Sequence, residues 1–148
     1  DAGYLITNMF MNKHSSAGGG NGVFTLYNQI GDHFWNLLQF ISTKVPADKI
    51  VYMIMHEESN ELGEIKPKTI GKLLDEKVCV EGMFTIVLRC IAESNKHLFV
   101  TQASDGAVSK SPIGMFEDLT IDNDILLVEK AIRDYYELGG TGEDEKTK

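Results

Sequence analysis

Apolar residues recur at three- and four-residue steps between Val23 and Ile41: Val23, Tyr27, Ile30, Phe34, Leu37, Leu38 and Ile41. That spacing puts them on one face and predicts a helix over 23–43, with Phe24 and Trp35 widening the stripe. Pro46 ends it and "PADK" supplies the turn. Residues 4–13 read as a short helix. The stretch between the two, "HSSAGGGNG", reads as a flexible loop. In residues 49–55, "KIVYMIM", the pattern changes to an unbroken apolar run with β-branched members. A strand buried on both faces, as in a parallel sheet, has that pattern.

Further along, "TIGKLLDE" predicts a short helix. The segments "MFTIVLRCIAE" and "HLFVTQ", joined by "SNK", predict a β-hairpin. Residues 104–120, with Gly106, Pro112 and Gly114, read as loop. Residues 122–138 predict a last helix, with Asp122 as N-cap and Ile125, Val128, Ile132, Tyr135 and Tyr136 on one face. Glu129 and Arg133 are spaced to pair along it, and Gly139 and Gly140 to end it. The remaining residues to 148 read as a disordered acidic and polar tail. The order of elements predicts an α/β fold: helices flanking a mixed sheet, with a parallel strand and an antiparallel hairpin.

The chain has 148 residues, 43% hydrophobic and 24% charged, the profile of a soluble globular domain. No apolar run approaches the ~20 residues of a membrane helix. A net charge of −8 argues against a chain coated for nucleic-acid binding, since phosphate contacts need Lys and Arg. It leaves room for a local basic strip, and Lys66, Lys68, Lys72 and Lys77 make one. Cys79 and Cys90, each in a predicted strand, have no CxxC partner and read as buried thiols of a reducing compartment, ahead of a disulfide between neighbouring strands. The opening Asp-Ala-Gly, without Met, reads as part of a longer protein.

Chemistry is sparse. His56 and Glu57 follow the apolar run, and ligands of open α/β sheets gather at such strand ends. Either residue there can bond a phosphate or orient water; a polar turn meeting solvent explains the pair slightly better. The stretch "HEES" is not HExxH, and His14, His33 and His97 lack ligand spacing. There is no GxSxG, no GxGxxG and no GxxxxGK[ST].

Three stretches in order, "IVYMIMHEE", "KPKTIGKLLDEKVCVEGMFTIVLR" and "KSPIGMFEDLTIDNDILLVEKAIRDYY", resemble the C-terminal half of phage-encoded RecA-like P-loop ATP-binding proteins of recombination and single-strand annealing. The resemblance covers residues 1–138. It implies part of a RecA-like core, with Asp1 as the last acidic residue of a Walker B strand, organising magnesium or the attacking water. It implies that His56 senses the γ-phosphate beside Glu57, and that Lys66, Lys68 and Lys72 meet DNA or a neighbouring subunit. Lys110 falls near the nucleotide base or the subunit edge. ATP and magnesium are then cofactors of the full-length protein. Its partners are single-stranded DNA and further copies of itself, in the cytoplasm of a phage-infected or prophage-bearing bacterium. Without the phosphate-cradling loop this stretch is expected not to bind ATP by itself. Two other classes stand beside this one: a non-enzymatic partner-binding module on the same core, and a magnesium-dependent nuclease using Asp1, Glu57 and Glu58.

Overall fold

In the computed structural model, residues 2–13, 20–69 and 78–139 are described. They contain three helices and two antiparallel sheets, a mixed α/β content, and the chain divides into two compact units at Met83–Phe84.

The first unit opens with α1 (Ala2–Met11) and α2 (Asn21–Lys44). The buried line of α2 is Leu26, Ile30, Phe34 and Leu38, a strict four-residue step. Each step turns the position by only 40° about the axis, so the four side chains form one narrow seam. Phe24, Tyr27 and Trp35 were expected in that stripe, and all three are exposed instead. They flank the seam, outside the narrow sector that is buried. Phe10 of α1 meets the His33 ring of α2 at 4.9 Å between centroids. Lys44 in the last turn complements the helix dipole, and the chain leaves at Val45 in extended conformation before Pro46. The Asn21-Gly22 pair, expected in the flexible loop, begins α2; residues 14–19 lie outside the described residues.

Residues 49–55 do not form the expected buried strand. Ile54 is 77% exposed, and Val51 and Tyr52 are exposed as well. A strand apolar on both faces needs partners on both edges and a layer above and below. Among the described residues neither sheet includes this run, and no parallel strand is present. The sheet of this unit lies just beyond it: β1 (Glu57–Ser59) antiparallel to β2 (Ile65–Pro67). A 3-10 turn at Glu81–Met83 follows; the helix expected in "TIGKLLDE" falls, from residue 70 on, outside the described residues.

The second unit holds a three-stranded antiparallel sheet in the order β3 (Arg89–Glu93), β4 (Lys96–Val100), β5 (Thr120–Asp122). The expected hairpin is β3–β4. Ser94 and Asn95 both have positive φ (49° and 63°), the two-residue turn whose twist matches the strands it joins. A second turn of the same kind sits inside the stretch read as loop. Asp105 and Gly106 have φ of 50° and 74°, and Ala107 N–H donates to Ser104 C=O at 2.8 Å. Strand β5 was not expected from the sequence; it pairs Thr120, Ile121 and Asp122 with Val100, Phe99 and Leu98.

The last helix, α3 (Ile125–Tyr136), is capped by Asp124 and not by Asp122, which is taken up in β5. The Asp124 carboxylate accepts from Leu126 N–H at 2.9 Å. The helix stops at Glu137, left-handed at φ 54°, ahead of Gly139. Leu138 N–H returns to Arg133 C=O, closing the end as a Schellman motif does. The Glu129–Arg133 pair forms, at 2.8 Å. Of the expected apolar face, Val128 and Ile132 are buried, while Ile125, Tyr135 and Tyr136 are exposed. Val100, Ala107 and Met115 are also buried in this unit. The buried Thr101 hydroxyl is satisfied by donation to Asp118 C=O at 2.9 Å. Both cysteines, expected buried, are exposed. Cys79 lies in no strand, and Cys90 points from the solvent side of β3.

Candidate functional site

The 56–68 hairpin gathers more of the expected site residues than any other element. Its loop is organised by Asn60. The Asn60 side-chain oxygen accepts from Leu62 N–H at 3.0 Å and Glu64 N–H at 2.9 Å, and its amide donates to the Glu64 carboxylate at 2.6 Å. Backbone bonds from Asn60 N–H to Glu64 C=O and from Gly63 N–H to Asn60 C=O, both 3.0 Å, complete the loop. Gly63 sits at φ 80°, a conformation that costs glycine little and other residues more. Asn60 was not singled out from the sequence. The signal was present: Ser-Asn, then Gly, between two short extended segments is turn chemistry.

Below the loop the register is Ser59↔Ile65, Glu58↔Lys66 and Glu57↔Pro67. One step further, Lys68 N–H donates to His56 C=O at 2.6 Å. In an antiparallel pair, hydrogen-bonded and non-hydrogen-bonded positions alternate. Asn60–Glu64 and His56–Lys68 are bonded positions, so Glu57–Pro67 falls on a non-bonded one. There the missing N–H of proline costs nothing, which is how Pro67 fits within a strand.

The pleat sorts the polar residues. His56, Glu58, Lys66 and Lys68 share one face, and Glu57 stands on the other with Ser59, Ile65 and Pro67. His56 and Lys68 are therefore cross-strand neighbours. Glu58 and Lys66 approach to 3.9 Å, a half-exposed pair of small energetic weight. The ring of Tyr4, from α1, meets the His56 imidazole edge-on, 5.4 Å between centroids and 79° between planes. Glu57 and Glu58, as successive strand residues, do not share a face and so do not converge on one ion from this hairpin. No group of three or more His, Cys, Asp or Glu side chains suited to a metal occurs among the described residues.

The other expected residues lie elsewhere. Asp1 and Lys72 fall outside the described residues. Lys110 stands in the second unit, where its backbone exchanges two 2.8 Å bonds with Val87. The adjoining turn, from Pro112 to Met115, holds Ile113 almost fully exposed, with Met115 N–H donating to Pro112 C=O at 3.1 Å and Gly114 at φ 82°. No described helix is long and apolar enough to cross a membrane.

Comparison with known proteins adds no relative: no family model, no curated protein and no solved structure matches the chain.

Proposed function

We propose that the chain is the responsive part of a RecA-like, ATP-dependent phage protein that handles single-stranded DNA. In this reading the 56–68 hairpin passes nucleotide state to DNA or to a neighbouring copy. The observation that carries it is the cross-strand placement of His56 beside Lys68. A residue that reports on phosphate and a cation that meets DNA or protein are then joined by one backbone hydrogen bond, so a movement of one displaces the other. The three ordered stretches that resemble RecA-like proteins supply the remaining support.

The proposal assigns distinct roles to the two sides of that pair. His56→Ala in the full-length protein is expected to keep basal ATP turnover and lose its stimulation by DNA. Lys66→Gln combined with Lys68→Gln is expected to weaken DNA binding alone. Two phosphate contacts on a single strand contribute about 1.4 to the slope of log K against log salt. The double variant should lose about that much slope in a fluorescence-anisotropy titration with a labelled oligonucleotide. Unchanged stimulation in the first variant, with an unchanged salt slope in the second, rules the relay out.

A second reading, a non-enzymatic partner-binding module, is favoured by α1. That helix carries no charged residue, yet Leu5 and Met9 are 67% and 68% exposed. An uncharged helix in contact with water is the kind of surface other proteins cover. ATP titration of the full-length protein by calorimetry separates the two: binding favours the relay, and no heat favours the module.

A further inference from the structure

The solvent side of the three-stranded sheet holds a cluster that the proposed relay does not use. Register places Cys90 opposite Phe99 and Ala92 opposite His97, so Cys90 and His97 point to the same side of the sheet. Asn123 lies one step beyond β5, where its N–H donates to His97 C=O at 3.2 Å. The Asn123 side-chain amide donates to Cys90 Sγ at 2.8 Å. Cys90 is on β3 and Asn123 follows β5, so this bond passes over the central strand β4. His97 stands on β4 diagonal to Cys90, since its register partner Ala92 is two residues along β3. A thiol, an imidazole and an amide donor are thus gathered on one accessible face, and Cys90, His97 and Asn123 are all exposed.

We propose that Cys90 is a site of thiol–disulfide exchange with small-molecule disulfides, with His97 accepting the thiol proton and Asn123 holding the sulfur. The thiolate is the nucleophile in such exchange. An imidazole is the side chain suited to take a proton near neutral pH. In the step, the Cys90 proton passes to His97 and Cys90 Sγ forms a bond to one sulfur of the incoming disulfide. The S–S bond of that molecule breaks. Its other sulfur leaves as a thiolate and takes the proton back from His97. One thiol and one disulfide give one mixed disulfide and one thiol, and no further oxidant is needed. The amide of Asn123, already bonded to sulfur, keeps Cys90 aimed beside the imidazole; Asn123 is a positioning residue.

Cys79 gives an internal reference, because it is also exposed and lies in no strand among the described residues. The full chain is treated with oxidised glutathione at neutral pH, and the rate of mixed-disulfide formation at each cysteine is followed by peptide mass spectrometry. Cys90 is expected to react at least tenfold faster than Cys79. His97→Gln should bring the Cys90 rate down towards that of Cys79 and leave the Cys79 rate alone. Asn123→Ala should slow Cys90 severalfold, again without effect on Cys79. Equal rates at the two cysteines in the unaltered protein overturn the proposal, whatever the variants do. A Cys90 rate unchanged in both variants overturns the roles given to His97 and Asn123.

Discussion

Replacing Asn60 with alanine takes away the acceptor around which the 60–64 loop is closed. Two backbone donors, Leu62 N–H and Glu64 N–H, lose their partner, and the Glu64 carboxylate loses the amide that meets it. A net protein hydrogen bond is worth about 0.5–1.5 kcal/mol. These groups are exposed, so water replaces the lost acceptor and no burial penalty follows. The total is then about 1–2 kcal/mol, less than three separate bonds would sum to. That is a small quantity for a whole protein and a large one for this element, because a two-stranded hairpin is marginal in isolation. Local opening is therefore where the loss should show. The Lys68 and Asn60 amides, bonded to His56 C=O and Glu64 C=O, report it directly. At about 1.4 kcal/mol per decade, their hydrogen exchange should accelerate roughly 5- to 30-fold, while the amides of α2 keep their wild-type rates. Asn60→Asp retains the acceptor for both backbone donors and should recover much of the protection. If the Lys68 and Asn60 amides exchange at the same rate in Asn60→Ala and in the unaltered chain, the loop does not hold the hairpin. The coupling of His56 to Lys68 then loses its structural basis.

Other perturbations test the rest of the fold. Phe34→Ala opens a hole in the centre of the α2 seam and should destabilise by about 3–5 kcal/mol, read from chemical denaturation. Asp124→Ala removes the cap of α3 and should cost about 1 kcal/mol, with exchange rising first at Leu126 N–H. Gly114→Ala meets no neighbouring atom, yet sits at φ 82°. It should lose about 1 kcal/mol from backbone conformation alone, seen as a lowered Tm with an unchanged near-ultraviolet spectrum.

Local chemistry in the sequence foretold the elements that depend on local chemistry. The helical period of 23–43 located α2, and the hairpin around Ser94-Asn95 was legible because two apolar-rich segments flank a short polar turn. Asp105-Gly106 is an equally strong turn signal; Pro112 and Gly114 close by made the whole stretch look like loop. What failed depended on partners distant in the chain. The 49–55 run has the composition of a buried strand, and composition does not supply a strand to pair with. Strand β5 has three residues, too few for a period, and exists because β4 offers it an edge. Its capture of Asp122 moved the cap of α3 to Asp124. The candidate site followed the same rule. The spacing of His56 and Lys68 carries no sign that they are neighbours, because their pairing is set by a five-residue loop whose organiser, Asn60, resembles any polar turn residue.

The hairpin's marginal stability also bears on what it can do. Its two strands have three residues each, and its face carries both signs of charge, Glu58 and Glu64 against Lys66 and Lys68. Such a face attracts a polyanion weakly, so order gained on binding counts for more than bulk charge. The ring of Tyr4 against His56 ties the base of the hairpin to α1, the helix with no charges and two exposed apolar side chains. A partner that covers Leu5 and Met9 would fix α1, and through Tyr4 it would bias the position of His56. Segments near the low end of local stability are those whose populations a bound partner shifts most readily. If the proposed relay holds, the ring contact between Tyr4 and His56 is where an event at α1 would reach the hairpin.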